Sequence, residues 1–132
     1  MPIAWPKPMT FLERFLGGEI RAEDFRHADH VRAGYELLAD RDFLDASSAY
    51  CRVLKMMTAR IGKPEAFHLT VTLAFLALIA ERAAMERHAG FEEFAKANAD
   101  LMDKSALTRW YKPERLNDPA ARQGFVLPDP AW

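Results

Sequence analysis

The chain has 132 residues, 50% of them hydrophobic, a formal net charge of −1 and one cysteine. This suits one helical-bundle domain over residues 1–132, with a core large enough to fold alone. The charge balance excludes the strongly basic footprint of a nucleic-acid binder. The lone Cys51 excludes an intrachain disulfide and reads as an inert core thiol.

The first stretch, MPIAWPKPMT, carries three prolines and predicts an extended arm over 1–9. It lacks the apolar segment of a secretory signal, so a cytoplasmic protein is expected. Thr10-Phe11-Leu12-Glu13 has the capping-box pattern, in which threonine and glutamate close each other's orphan backbone donors. Phe11, Leu12, Phe15 and Leu16 share the apolar face of the short helix that follows, and Gly17-Gly18 ends it. A second helix is predicted over about 28–40. A third covers 43–61 and stops at Gly62-Lys63-Pro64; on it Ser47, Tyr50, Leu54, Met57 and Ile61 track one stripe. A fourth covers 66–88 and opens with the most apolar run of the chain, AFHLTVTLAFLALIA. At 15 residues that run is short for a membrane span and right for a buried helix. Apolar on nearly every side, it is expected to be central. Its second half, ERAAMERH, is charged and expected to project into solvent, His88 with it. A fifth helix is predicted over 91–103, with Phe91, Phe94, Ala95, Leu101 and Met102 inward.

In the tail, 113–132, Asn117-Asp118-Pro119 marks another helix start, a capping side chain followed by proline. VLPDPAW is expected to lie extended across the bundle, anchored by Phe125 or Trp132. No segment shows strand alternation. The expectation is an all-α bundle of about five helices with an extended, proline-rich C-terminal tail.

The stretch FRHADHVRAGYELLAD, residues 25–40, carries the candidate chemistry. At about 100° per residue, His27, His30, Val31, Gly34, Leu37 and Leu38 share one side of the second helix. Asp29, Arg32, Glu36 and Asp40 hold the other. Both imidazoles therefore point inward. Gly34 lies on the same stripe and costs the helix about 1 kcal/mol relative to alanine. The room it leaves serves either close helix packing or a cavity, and in a cavity Gly34 contacts the substrate. On the fourth helix His68 and Thr72 are four apart and share a face with Phe75 and Ile79. Three of the four histidines thus converge on the inward faces of two helices.

An inward imidazole offers one donor and one acceptor, and leaving it unpaired costs roughly 1–3 kcal/mol. Three readings follow. In the first, each ring is structural and satisfied by a carbonyl, a threonine or a carboxylate. In the second, His27, His30 and His68 ligate a divalent metal such as zinc, since three imidazoles with an open fourth position form a catalytic zinc set. In the third, a metal-free pocket uses histidine as general acid or base, oriented by Thr72 or Asp103. The tail adds Arg109 and Lys112 as candidate holders of an anionic substrate group and Tyr111 as a pocket cap. Basic residues near a helix C-terminus also answer the helix dipole. No phosphate-cradling glycine loop, dinucleotide fingerprint, nucleophile elbow or Cys–His pair is present.

The leading expectation is a small-molecule enzyme whose pocket lies between the second and fourth helices, with acid–base or metal-assisted chemistry. The alternative is a non-catalytic module that binds a small molecule or a protein, its histidines structural. Neither nucleic acid nor membrane is expected as a partner. FRHADHV, FHLTVT, LMDKSAL, WY and AARQGFVLPDP together resemble a family of short uncharacterised bacterial helical proteins. Its motifs are Phe-x-His-x-x-His and Tyr/Phe-His-x-Thr-x-Thr. The resemblance spans about residues 25–130 and implies that His27, His30, His68, Thr70 and Thr72 matter together. It implies no activity. Family members often carry glutamate directly after the second-motif histidine; here that residue is Leu69.

Overall fold

Three long helices organise the chain: α2 (His27–Asp40), α3 (Phe43–Arg60) and α4 (Leu69–Met85), preceded by a short α1 (Phe11–Leu16). The computed structural model describes residues 7–130. Residues 1–6 of the expected 1–9 arm and the expected Trp132 anchor lie outside the described residues. After α4 come α5 (Phe91–Ala97), α6 (Pro113–Asn117) and α7 (Pro119–Gln123). Short 3₁₀ turns cover Ala22–Asp24, Pro64–Ala66, Ala99–Met102 and Lys104–Arg109. Among the described residues there is no strand, and the fold is all-α.

Local chemistry explains several helix ends. Glu13 N donates to Thr10 Oγ1 at 3.1 Å and Thr10 N donates to Glu13 Oε1 at 2.9 Å, closing the capping box. Those bonds hold the Glu13 carboxyl below its usual pKa. Gly18, at φ +71°, turns the chain out of α1 in the left-handed region that glycine enters without strain. Asp42 caps α3 by accepting from Asp45 N at 2.8 Å. Asp118 caps α7 by accepting from Ala120 N at 2.9 Å, with Pro119 at the first helical position.

The core forms two clusters that meet along α2 and α4. One gathers Phe15, Leu37, Ala46, Tyr50, Val53 and Leu76 from α1 to α4. The other gathers Val31, Phe75, Ile79, Phe94, Leu101 and Tyr111 from α2, α4 and the C-terminal third. Helix α4 touches α2, α3 and α7, which makes it the central helix. It still has a solvent stripe, since Ala77, Glu81 and Ala84 are exposed.

Several boundaries and faces differ from the sequence reading. Helix α4 starts at Leu69, not 66, because the Pro64–Ala66 turn takes the first residues. The charged end does not all project: Arg82 forks onto Asp100 at 2.7 and 3.0 Å and onto Asn98 Oδ1 at 3.0 Å. His88 packs edge-on against Phe94, at 5.8 Å between ring centroids, instead of standing in water. The fifth helix ends at Ala97, because buried Asn98 turns its side-chain amide back onto Phe94 O. On α3 the buried side is Ala46, Ala49, Tyr50, Val53, Leu54 and Met57, while Ile61 is 49% exposed. Phe125 is 50% exposed and is not the tail anchor.

Candidate functional site

A cavity of about 630 Å³ opens where the start of α2, the second half of α3, the start of α4 and the Pro64–Ala66 turn meet. That volume is typical of a small-molecule site. His27, His30, His68 and Thr72 all line it, together with apolar residues such as Phe25, Leu54, Met57, Phe67 and Phe75. The three imidazoles share this space but have different bonding states.

His68 is fully committed. Its Nε2 lies 2.7 Å from Leu116 O. A carbonyl only accepts, so Nε2 carries the proton and Nδ1 keeps a lone pair. That lone pair accepts the Val71 N–H at 3.1 Å. His68 is thus the N-cap of α4, with extended backbone at φ −128°, and not a residue on the helix's inward face. The extension comes from the preceding Pro64–Ala66 turn, which delays the first helical residue to Leu69.

His27 is half committed. Its Nε2 donates to Leu101 O at 2.9 Å, and its ring meets Phe75 edge-on at 5.1 Å. His30 is uncommitted: among the described residues neither ring nitrogen has a hydrogen-bond partner. Its ring lies over Phe25, 4.4 Å between centroids. Burial, then the neighbouring His27, lowers its pKa to about 4; Lys104 adds to the effect and Asp29 opposes it. The His30 ring is therefore neutral at pH 7.

The other polar groups of the lining are turned to the backbone. Tyr50 donates its hydroxyl to His30 O at 2.9 Å, and burial pushes its phenol well above the usual range. Thr72 donates to His68 O at 2.7 Å and Thr58 to Lys55 O at 3.0 Å. Arg26 and Lys104 are different. They line the cavity with exposed side chains, and their charged ends have no hydrogen bond or ion pair among the described residues. Sequence reasoning missed Arg26, Lys104, Phe25 and Tyr50. Arg26 stood in plain view before His27, but its role depends on where α2 begins.

Three expectations about the site need correction. First, the three imidazoles do not form a metal set. Among the described residues no group of three or more His, Cys, Asp or Glu side chains is placed to hold a metal ion. The physical reason is that His68 spends both nitrogens on backbone groups and His27 spends one. Second, Gly34 is not part of this cavity's lining. A Cβ there would stand 3.0 Å from Leu76 Cδ1 and 3.1 Å from Ile79 Cδ1, so the glycine permits close packing of α2 on α4. Third, the candidates beyond α5 lie outside the lining. Asp103 accepts from Ser105 N and Oγ, each at 2.8 Å, and those bonds hold its carboxyl below the usual range. Arg109 lies over the Trp110 ring at 5.2 Å. Tyr111 is buried and donates to Val126 O at 2.9 Å. The Lys112 backbone N–H donates to Asp129 at 2.7 Å, and its side chain is exposed.

Thr70, in the second motif, holds the tail to α4. It is fully buried, donates to Gly124 O at 3.0 Å and accepts from Val126 N at 3.1 Å. With His68 on Leu116 O, the FHLTVT stretch clasps two points of the C-terminal segment. No helix among the described residues is long and apolar enough to cross a membrane. No family model matches the chain, and neither does any curated protein or solved structure.

Proposed function

We propose that this protein binds a small molecule in the cavity between α2, α3 and α4, and that His30 engages it. The observation that carries this reading is the His30 ring. It is half-buried, lines an open space and lacks a partner among the described residues. A ring whose nitrogens stay accessible at a cavity wall and make no bond within the protein can exchange water for a ligand's polar group. The neighbouring polar groups His68, Thr72 and Tyr50 are satisfied by backbone, which leaves His30, together with His27 Nδ1 and the exposed ends of Arg26 and Lys104, available to a ligand.

A fragment screen on isotope-labelled protein tests this. Ligands should shift the His30 ring resonances, and His30→Leu should weaken them at least about tenfold, the scale of one buried polar contact. Hits that leave the His30 resonances unmoved would sink the reading.

Acid–base chemistry at His30 is the second reading. It is favoured by the neutral His30 ring standing beside His27, whose Nδ1 remains an acceptor. Its test is mass spectrometry of each bound hit after incubation. Turnover by the native chain, lost in His30→Gln with binding retained, supports catalysis. Unchanged ligand throughout rejects it.

A further inference from the structure

We infer that the occupant of this cavity is an anionic amphipath. A carboxylate head would lie among Arg26, His30 and Lys104, and an apolar body among residues such as Phe25, Met57 and Phe75. The inference rests on the reading of the cavity as a ligand site and names the class of ligand.

The first support is the charge of the lining. The chain has 19 Asp and Glu residues, yet none lines the cavity, while Arg26 and Lys104 both do. With a net charge of −1, the protein as a whole does not attract anions. Any preference for them is local. The second support is that these two cations have no carboxylate partner among the described residues, although Arg82 elsewhere takes a two-pronged one. The third is the remaining surface. Apart from the backbone-bound hydroxyls, His27 and His68, it is aliphatic and aromatic, which suits a hydrocarbon or aryl body. A polyphosphate is a poorer fit, because a phosphate cradle needs converging backbone N–H groups on a glycine loop.

The groups around His30 indicate how a carboxylate would act there. His27, Asp29 and Arg26 lie on or beside its own helix, Tyr50 reaches it from α3, and Lys104 comes from the Lys104–Arg109 turn. His68, at the start of α4, shares the lining. Burial and the neighbouring His27 disfavour the imidazolium. A carboxylate placed beside the ring favours it, so binding should draw a proton onto His30.

Calorimetry of the full chain at pH 7 with two matched series tests the class. One series is decanoate, decanol and decylammonium; the other is 4-phenylbutyrate, 4-phenylbutanol and 4-phenylbutylammonium. In the series that binds, the carboxylate should be at least about tenfold tighter than the alcohol, the scale of one charge-assisted hydrogen bond. The ammonium should be weakest. Combining Arg26→Gln with Lys104→Met should bring the carboxylate-to-alcohol ratio within about threefold. Titrations near pH 5.5 in two buffers of different ionisation enthalpy should show net proton uptake with the carboxylate and none with the alcohol, because a neighbouring carboxylate lifts the ring from about 4 into that range. An alcohol that binds as tightly as its carboxylate would overturn the anionic class and leave the cavity reading standing. Failure of every member of both series to bind would overturn the two together.

Discussion

His68 and His30 line the same cavity with the same ring, and the fold uses them oppositely. At the start of α4, His68 donates through one nitrogen and accepts through the other, both to backbone, and Thr70 beside it clasps the tail at two points. At the start of α2, His30 bonds to the protein through its backbone alone among the described residues, its N–H donating to Arg26 O and its carbonyl accepting from Tyr50. The contrast separates polar burial that builds a fold from polar burial that leaves a group for something else. Residue type does not decide between them; the availability of an orphan backbone group within reach does. Helix α4 begins where the tail returns, so carbonyls and N–H groups are there to be answered. Around His30 the neighbours are Phe25, another imidazole and open space.

Acid should expose the contrast most strongly. The folded His30 pKa is about 4 against 6.5 for the free side chain. Between these values the unfolded chain binds more protons than the folded one, so stability falls as pH drops from 6.5 toward 4. The loss should reach on the order of 3 kcal/mol, read from denaturant midpoints across that window. In His30→Leu the decline should flatten. An unchanged slope in that variant would place the acid sensitivity elsewhere.

Thr70→Val comes next. It keeps the shape and strips Gly124 O and Val126 N of their partner, for about 2 kcal/mol. Hydrogen exchange should rise selectively beyond residue 120. His68→Ala removes a cap and a carbonyl contact and should cost a similar amount, about 2 kcal/mol. His68→Asn should recover about half of it, because asparagine also caps. Full recovery would show the Leu116 contact to be idle.

Gly34→Ala should destabilise by about 1 kcal/mol. The helix-propensity gain of about 1 kcal/mol is outweighed by pushing Leu76 and Ile79 out of a close-packed seam, which typically costs about 1–3 kcal/mol. A thermal melt that rises would mean that the seam relaxes freely. His30→Leu at pH 7 should have the smallest effect, within about 0.5 kcal/mol of the native chain. A larger loss, by chemical denaturation, would return His30 to the structural class.

Much of this was readable along the chain wherever the cause is local. The capping box at Thr10 and Glu13, the Gly18 turn and the Asp118-Pro119 start all operate within four residues, and each appears in place. The inward stripe of α2 follows from helical period and correctly brings His27, His30 and Val31 to one space. The misplacements share a different cause. His68 was phased as a helical residue, yet a three-residue delay in where α4 begins, from 66 to Leu69, turns a face position into a cap. Arg109, Tyr111 and Lys112 were grouped with the site because they are polar and adjacent in sequence, whereas the path of the tail sends them to Trp110, Val126 and Asp129.

The amino-acid sequence by itself determined that this protein is all-α, where its helices roughly lie and which faces are apolar, because period and capping are short-range physics. The tertiary structure decided which imidazole is spent and which is free. That depends on Leu101 and Leu116, 74 and 48 residues away from His27 and His68, bringing their carbonyls to those rings while none among the described residues reaches the His30 ring.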